Sequence, residues 1–360
     1  MLNKNQDQQV SGSGIAVQGG GDVNIEVTNN GLSYTDVRAI AKDQALIVFK
    51  ENFPKFQGEA MKLATERGAA ITEEFFKKLQ MENPDGINQA GSPDFQDALF
   101  TVQKEYAKAG DEELGQLLVD LLVDRTKEPT RTTLQIVLNE SLHVAPKLTS
   151  THLAILAVVF ILKYTKLQFV ENIDSLNQYL TKHILHFANS DLLPNKEGAF
   201  QHLQYTGCGS VSMGSISLEQ LFRTHYGGLF NHGFEESRLL ELGITISSKD
   251  SIMFMPCLND LTKLQVKAAS MEYLRTFLDI KNTSIDQKQK MELLFQENMF
   301  SDEEIKRRVI SFSPFMDSIF NAWSYTKLQS FELTSVGIAI GYANIKRISG
   351  EFSNLSIWIN

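Results

Sequence analysis

Apolar residues alternate at period two near the start of this chain and then recur at helical spacing from Ser33 onward. Ile15 and Val17 form one short alternating set and Val23, Ile25 and Val27 another, separated by Gln18-Gly19-Gly20-Gly21-Asp22. Successive strand side chains point to opposite faces, so this spacing predicts a hairpin with a five-residue glycine loop. Such a ribbon is marginal in water by itself, and it must dock on the body or pair with strands from another chain. The Gln, Asn, Gly and Ser around it also suit a loose tail; the five β-branched positions favour order.

From Ser33-Tyr34-Thr35-Asp36, a cap with an acid in the first turn, the spacing of Val37, Ile40, Ala41, Ala45, Val48 and Phe49 predicts a helix ending at Pro54. Further helices are expected over 59–81, closed by Asn83-Pro84-Asp85-Gly86, and from Ser92-Pro93 to about Ala109, stopped by Gly110. Asp111-Glu112-Glu113 opens the next, whose Leu114, Leu117, Leu118, Leu121 and Leu122 form one apolar stripe. Another spans about Thr130 to His143. Short connections between these helices imply antiparallel neighbours.

A second helical region begins at Thr149-Ser150, with helices expected over 151–166 and 172–188, a Pro194/Gly198 loop, and a turn-rich stretch Gly207 to Ser215. Helices follow over 217–229 and 234–242, and Ile244/Ile246 and Ile252/Phe254 then alternate around Ser247-Ser248-Lys249-Asp250. Helix, turn, helix, hairpin is the order of a winged-helix unit. Helices are expected again from about Asp260 to Ile280, over 285–298 and over 302–310. A strand from Lys327 to Leu333 precedes the cap Thr334 and a helix to about Arg347, with a closing strand from Leu355 to Ile359. The fold class is therefore mainly α, a multi-helix bundle with a small winged-helix-like hairpin or sheet in the C-terminal region and an N-terminal β-hairpin segment. The chain divides into a β-segment over 1–32, a helical domain over 33–147 and a helical domain with the hairpin over 148–360.

Composition narrows the function classes. With 42% apolar and 21% charged residues the chain is globular, and two cysteines cannot make a disulfide framework, so Cys208 and Cys257 are expected as reduced thiols in a cytoplasmic protein. A net charge of −9 argues against phosphate neutralisation as the main business, and residues 215–243 carry two arginines against four glutamates, where a recognition helix needs the reverse. Nucleic acid is not an expected partner. The most apolar run, Leu153 to Leu162, is about half the length of a membrane-crossing helix and reads as a buried core helix. Its release onto a membrane, which would make helix 151–166 an effector element, is an alternative.

Candidate chemistry is sparse. His183 and His186 share a helix face at i and i+3, but no third ligand is identifiable by spacing, so no metal set is expected. Cys208 stands in a glycine loop before a helix, and His225 is a possible base for it, which gives a thiol-dependent hydrolase as the alternative function. A small residue between Gly207 and Gly209 is more simply a packing requirement. No glycine run is followed by Lys-Ser/Thr or set in a βαβ unit, so no phosphate cradle, cofactor or catalytic motif is read from the sequence.

Two groups of residues resemble known bacterial families. Leu148-Thr149-Ser150-Thr151-His152-Leu153 leading into Ile155-Leu156, then Leu239-Leu240-Glu241-Leu242-Gly243-Ile244, then Phe331-Glu332-Leu333-Thr334-Ser335-Val336-Gly337 resemble the helix, wing and "strand, Leu-Thr-x-x-Gly, helix" pattern of Abi-alpha-like proteins, a group associated with abortive phage infection; the likeness covers about residues 148–345. Ile15-Ala16-Val17-Gln18-Gly19 followed by Gly20-Gly21-Asp22-Val23-Asn24-Ile25 resembles the Val-Gln-x-Gly core of bacterial amyloid-signalling segments, which couple defence receptors to effectors. The resemblance implies a self-associating protein of phage defence or stress signalling whose partners are copies of itself and a defence-system protein, and the lack of a catalytic motif makes an enzyme not the expected class. Ile15, Val17, Gln18, Val23, Ile25 and Val27 are the expected oligomerisation residues.

Overall fold

A computed structural model describes residues 34–52, 58–166, 172–188, 193, 197–244, 253–350 and 353–359. It is mainly helical with two small antiparallel sheets. The expected N-terminal hairpin, with Ile15, Val17, Gln18, Val23, Ile25 and Val27, lies outside the described residues.

The first region follows the helical period closely. It comprises α1 (Tyr34–Asn52), α2 (Glu59–Glu82), α3 (Pro93–Ala109), α4 (Glu112–Arg125) and α5 (Thr133–Val144). Its middle member, α4, starts where Asp111 accepts a hydrogen bond from the Leu114 amide at 2.7 Å. Every leucine of its stripe is buried, and so are Val119, Asp120, Val123 and Asp124, so α4 is enclosed on all sides. It packs against α2, α3, α5 and, from the far end of the chain, α15 (Ser335–Ser349). One continuous core accordingly runs from Val37 to Ile359.

The apolar run Leu153 to Leu162 is a core helix: α6 (Ser150–Val159) continues into a π-helical turn, Phe160–Tyr164, and every residue of the run is 7% exposed or less. Thr149 and His152 close a reciprocal capping box at its start. The adjoining α15 approaches so closely that a Cβ on Gly341 would lie 2.8 Å from the Leu156 carbonyl oxygen. Next come α7 (Ile173–His183), with a 3-10 turn Leu185–Ala188, and α8 (Glu197–Tyr205). Helix α8 stands where glycine and proline predict a loop; burial of Phe200 and Leu203 against the core overrides that local signal.

The turn-rich stretch after Cys208 holds a strand, β1 (Gly209–Val211), which pairs antiparallel with β4 (Phe331–Leu333) in the register Gly209↔Leu333 and Val211↔Phe331. Only the last three residues of the strand expected over 327–333 are extended; Lys327–Ser330 is a 3-10 turn. A second, smaller core gathers Phe234, Leu239, Phe254, Val266, Leu274, Leu278 and Phe295. It is built from α10 (Glu236–Glu241), β2 (Phe254–Pro256), β3 (Leu264–Val266), α11 (Met271–Ile280) and α12 (Ile285–Glu297), and it follows α9 (Leu218–Tyr226), which belongs to the main core. The order helix, turn, helix, hairpin is present, with Phe254 pairing with Val266; most of the hairpin expected around Ser247-Ser248-Lys249-Asp250 lies outside the described residues. Residues 245–252 lie outside the described set. The helix expected from Asp260 therefore starts only at Met271, because Leu264–Val266 completes the sheet.

Two further helices, α13 (Asp302–Phe312) and α14 (Met316–Tyr325), return to the main core. The sequence pattern predicts no helix over 316–325, yet Ile319, Phe320 and Trp323 are completely buried there. The expected closing strand is a 3-10 turn, Leu355–Ile357, after which Trp358 donates to the Tyr164 carbonyl at 2.7 Å.

Candidate functional site

The expected site residues fall in several places. The six oligomerisation residues are outside the described set. Cys208 is completely buried, accepts a weak hydrogen bond from Thr206 Oγ1 at 3.5 Å, and burial pushes its thiol up; a nucleophilic cysteine needs the opposite shift. His225 lies on α9 in a small apolar pocket with Ile161, Tyr179 and Leu180, and burial lowers its affinity for a proton. Among the described residues no hydrogen bond joins it to Cys208. Of the glycines flanking Cys208, Gly209 has a packing role, since a Cβ on it would stand 2.5 Å from the Glu332 carbonyl oxygen, whereas Gly207 adopts a left-handed φ of 74° with open space around it.

His183 ends α7 and His186 belongs to the following 3-10 turn, so their i, i+3 spacing spans a break in the helix. No group of three or more His, Cys, Asp or Glu able to hold a metal ion occurs among the described residues. His183 is 7% exposed and its Nδ1 lies 3.0 Å from Ser349 Oγ; burial, helped by the Lys182 charge, holds it down at about 4 against an ordinary 6.5. Its folded pKa lies below its unfolded one, so the fold is unaffected above about pH 6.5 and loses stability as pH falls toward 4, by about 2–3 kcal/mol for this group. His183→Leu is expected to remove that part of the acid loss in urea titrations run from pH 7 to pH 4; an unchanged slope with pH contradicts this assignment.

The arginines of the helix–turn–helix stretch are committed internally. Arg223 pairs with Asp302, and Arg238 makes a two-pronged bond to Glu297, 3.0 Å on each arm, with Glu241 at 2.8 Å. No helix among the described residues is long and apolar enough to cross a membrane.

The concave feature with the most chemistry is a cleft of about 920 Å³ between α2, α4, α5 and α15. Helix α4 brings Asp120 and Asp124 to it from the same face, one turn apart. Helix α2 supplies Lys78 and Glu82, and α15 supplies Tyr342, Lys346 and Arg347. Lys346 Nζ bridges the three elements, 2.8 Å from Glu82 and 3.1 Å from Asp124 Oδ1, and Lys127 reaches the same Asp124 oxygen at 2.6 Å. Burial alone would pull Lys346 down, but Asp124 and Glu82 outweigh it and hold the ammonium above its ordinary value. Burial likewise pushes Glu82 up, and the hydrogen bond and charge of Lys346, with Lys78 and Lys127, more than reverse that.

Asp120 is different. Its side chain is wholly buried, and burial raises its carboxyl despite the charge of Lys78. Lys78 holds Oδ1 in a close ion pair, while Oδ2 has no hydrogen-bond partner. Asp124 Oδ2 and Arg347 Nε also lack hydrogen-bond partners while shielded from solvent. The sequence reading missed this cleft. Its signal was the repeat Leu-Leu-Val-Asp over 117–120 and 121–124, which sets two acids four residues apart inside the most leucine-rich helix of the chain.

Wider comparison gives no curated protein and no solved structure that matches this chain. One family model does match, over residues 31–359, which takes in the whole helical body and starts within three residues of α1. With nearly its full length covered, the chain belongs to that family, an uncharacterised one.

Proposed function

We propose that this chain is a self-associating bacterial protein of the cytoplasm, in which Ile15, Val17, Gln18, Val23, Ile25 and Val27 pair strands between copies and so collect the helical bodies at high local concentration. The carrying observation is the alternation itself: five β-branched residues at period two, no proline and only two charges, Asp22 and Glu26, between Ile15 and Val27. These are the properties of segments that stack between chains. The family model begins at residue 31, after this segment. The likeness of residues 148–345 to Abi-alpha-like proteins, and of residues 15–25 to amyloid-signalling segments, directs the reading toward phage defence with a defence-system protein as the further partner; a likeness of this kind is associational.

Removing residues 1–32 is expected to reduce the mass measured by light scattering to that of one chain, while the helical circular dichroism of the body persists. An unchanged mass would reject the proposal.

A further inference from the structure

The cleft between α2, α4, α5 and α15 has a polar economy that does not close on itself. Buried acceptors are ordinarily matched with donors, because an unmatched one forfeits its bonds to water. Here Asp120, with no exposed side-chain surface, has Oδ1 ion-paired with Lys78 and Oδ2 with no partner, and Asp124, 7% exposed, presents a second unpartnered Oδ2. Lys78 serves only Asp120 Oδ1, and Lys346 and Lys127 converge on Asp124 Oδ1 and Glu82, leaving both Oδ2 atoms unserved. A donor is unmatched in the same cleft, Arg347 Nε, whose guanidinium is otherwise anchored by a 3.0 Å bond to Asn344. Unmet acceptors on α4 and an unmet donor on α15 call for a guest with the opposite arrangement.

We propose that this cleft binds a small zwitterion of amino-acid type, its ammonium received by Asp120 and Asp124 and its carboxylate by Arg347. An ammonium donates hydrogen bonds and accepts none, which suits the two open carboxylate oxygens, Asp120 Oδ2 and Asp124 Oδ2, and a guanidinium edge recognises a carboxylate by its planar donor geometry. A simple anion meets five carboxylates lining the same space, Glu74, Glu82, Asp120, Asp124 and Glu128, and a simple cation leaves Arg347 unanswered. At about 920 Å³ the space accommodates an amino acid with a long side chain.

The test is calorimetric titration of the full chain with three probes: L-lysine, cadaverine, which is lysine without its carboxylate, and hexanoate, which has no amine. L-lysine is expected to bind, cadaverine to bind on the order of tenfold more weakly, as loss of one charged hydrogen-bonding arm dictates, and hexanoate not at all. Arg347→Gln is expected to weaken L-lysine by the same factor and leave cadaverine unaffected. Asp120→Asn is expected to weaken both amines; should that variant not fold, Asp124→Asn, which keeps the Lys78–Asp120 pair, is expected to show the same loss with native circular dichroism. Failure of L-lysine to bind, equal affinity for all three probes, or variants that bind as the parent does would each overturn the proposal and leave a water-filled cleft.

Discussion

Gly337→Ala is expected to lower the stability of the fold by at least about 3 kcal/mol, or to prevent folding outright. Gly337 is the third residue of α15, and a Cβ there would fall well inside contact distance of the Cys208 carbonyl oxygen. The obstacle is backbone, and it is held from several directions. Thr334 donates its amide to that same carbonyl at 3.1 Å and its hydroxyl to the Gly207 carbonyl at 2.6 Å, and its Oγ1 accepts the Gly337 amide at 3.2 Å. The β1–β4 register fixes Gly209 opposite Leu333 on the next residue along. Relief would require α15 to withdraw from β1, α6 and α4 together. The gain in helix propensity from alanine, about 1 kcal/mol, is too small to compensate. Gly198→Ala is the matched control: it also lies in a helix, α8, nothing stands within 4 Å of its added Cβ, and chemical denaturation is expected to show it neutral or slightly stabilised. Equal midpoints for the two variants would show that the α15–β1 contact is not held as described.

Lys346→Met is expected to cost about 3 kcal/mol at neutral pH, because it strands acids that the fold has already desolvated. Asp124 is 7% exposed and would keep only Lys127, itself 42% exposed; Glu82 would lose its 2.8 Å partner. The pH dependence identifies the cause. In the parent, Glu82 is held below its ordinary value by Lys346, so its stabilising contribution is present above the unfolded carboxylate range and is lost as pH falls through the folded value. The variant lacks much of that contribution, so its deficit relative to the parent should shrink toward pH 3–4 in urea titrations. A deficit that stays constant with pH would mean that Lys346 matters for its packed methylenes rather than its charge. Lys346→Met paired with Asp124→Leu should recover part of the loss, since removing both members of a buried pair leaves no charge uncompensated.

What the sequence makes legible here is whatever a short window decides. The stripe of α4 and the buried α6 follow from spacing and apolarity within a few turns, and the caps at Asp111 and Thr149 from a single residue type at the right offset. The motif Leu333-Thr334-x-x-Gly337 can be read as strand, cap and helix, but its reason is remote: Gly337 is glycine because Cys208, more than a hundred residues earlier, passes beneath it. The elements missed share that remoteness. Gly209-Ser210-Val211 has no strand signal until Phe331–Leu333 lies beside it, and α14 is declared by burial of Ile319, Phe320 and Trp323 against residues from other parts of the chain. The strand Leu264–Val266 is likewise set from a distance, since its pairing with Phe254–Pro256 is what closes the second core. The cleft was hidden for a similar reason: two aspartates in a leucine helix read as its polar side, whereas α15 covers that side and makes it interior.

The proposed function separates a helical body from an N-terminal segment that joins copies, and the mass in solution measures that separation most directly. Multi-angle light scattering over a concentration series should give the full chain as a multimer, and Val23→Lys with Ile25→Lys, which charge one face of the segment and leave the body intact, as a single chain of about 40.5 kDa. Should the full chain run as one copy at every concentration, or the doubly charged variant assemble as the parent does, the segment is not what joins the bodies and the proposed function fails.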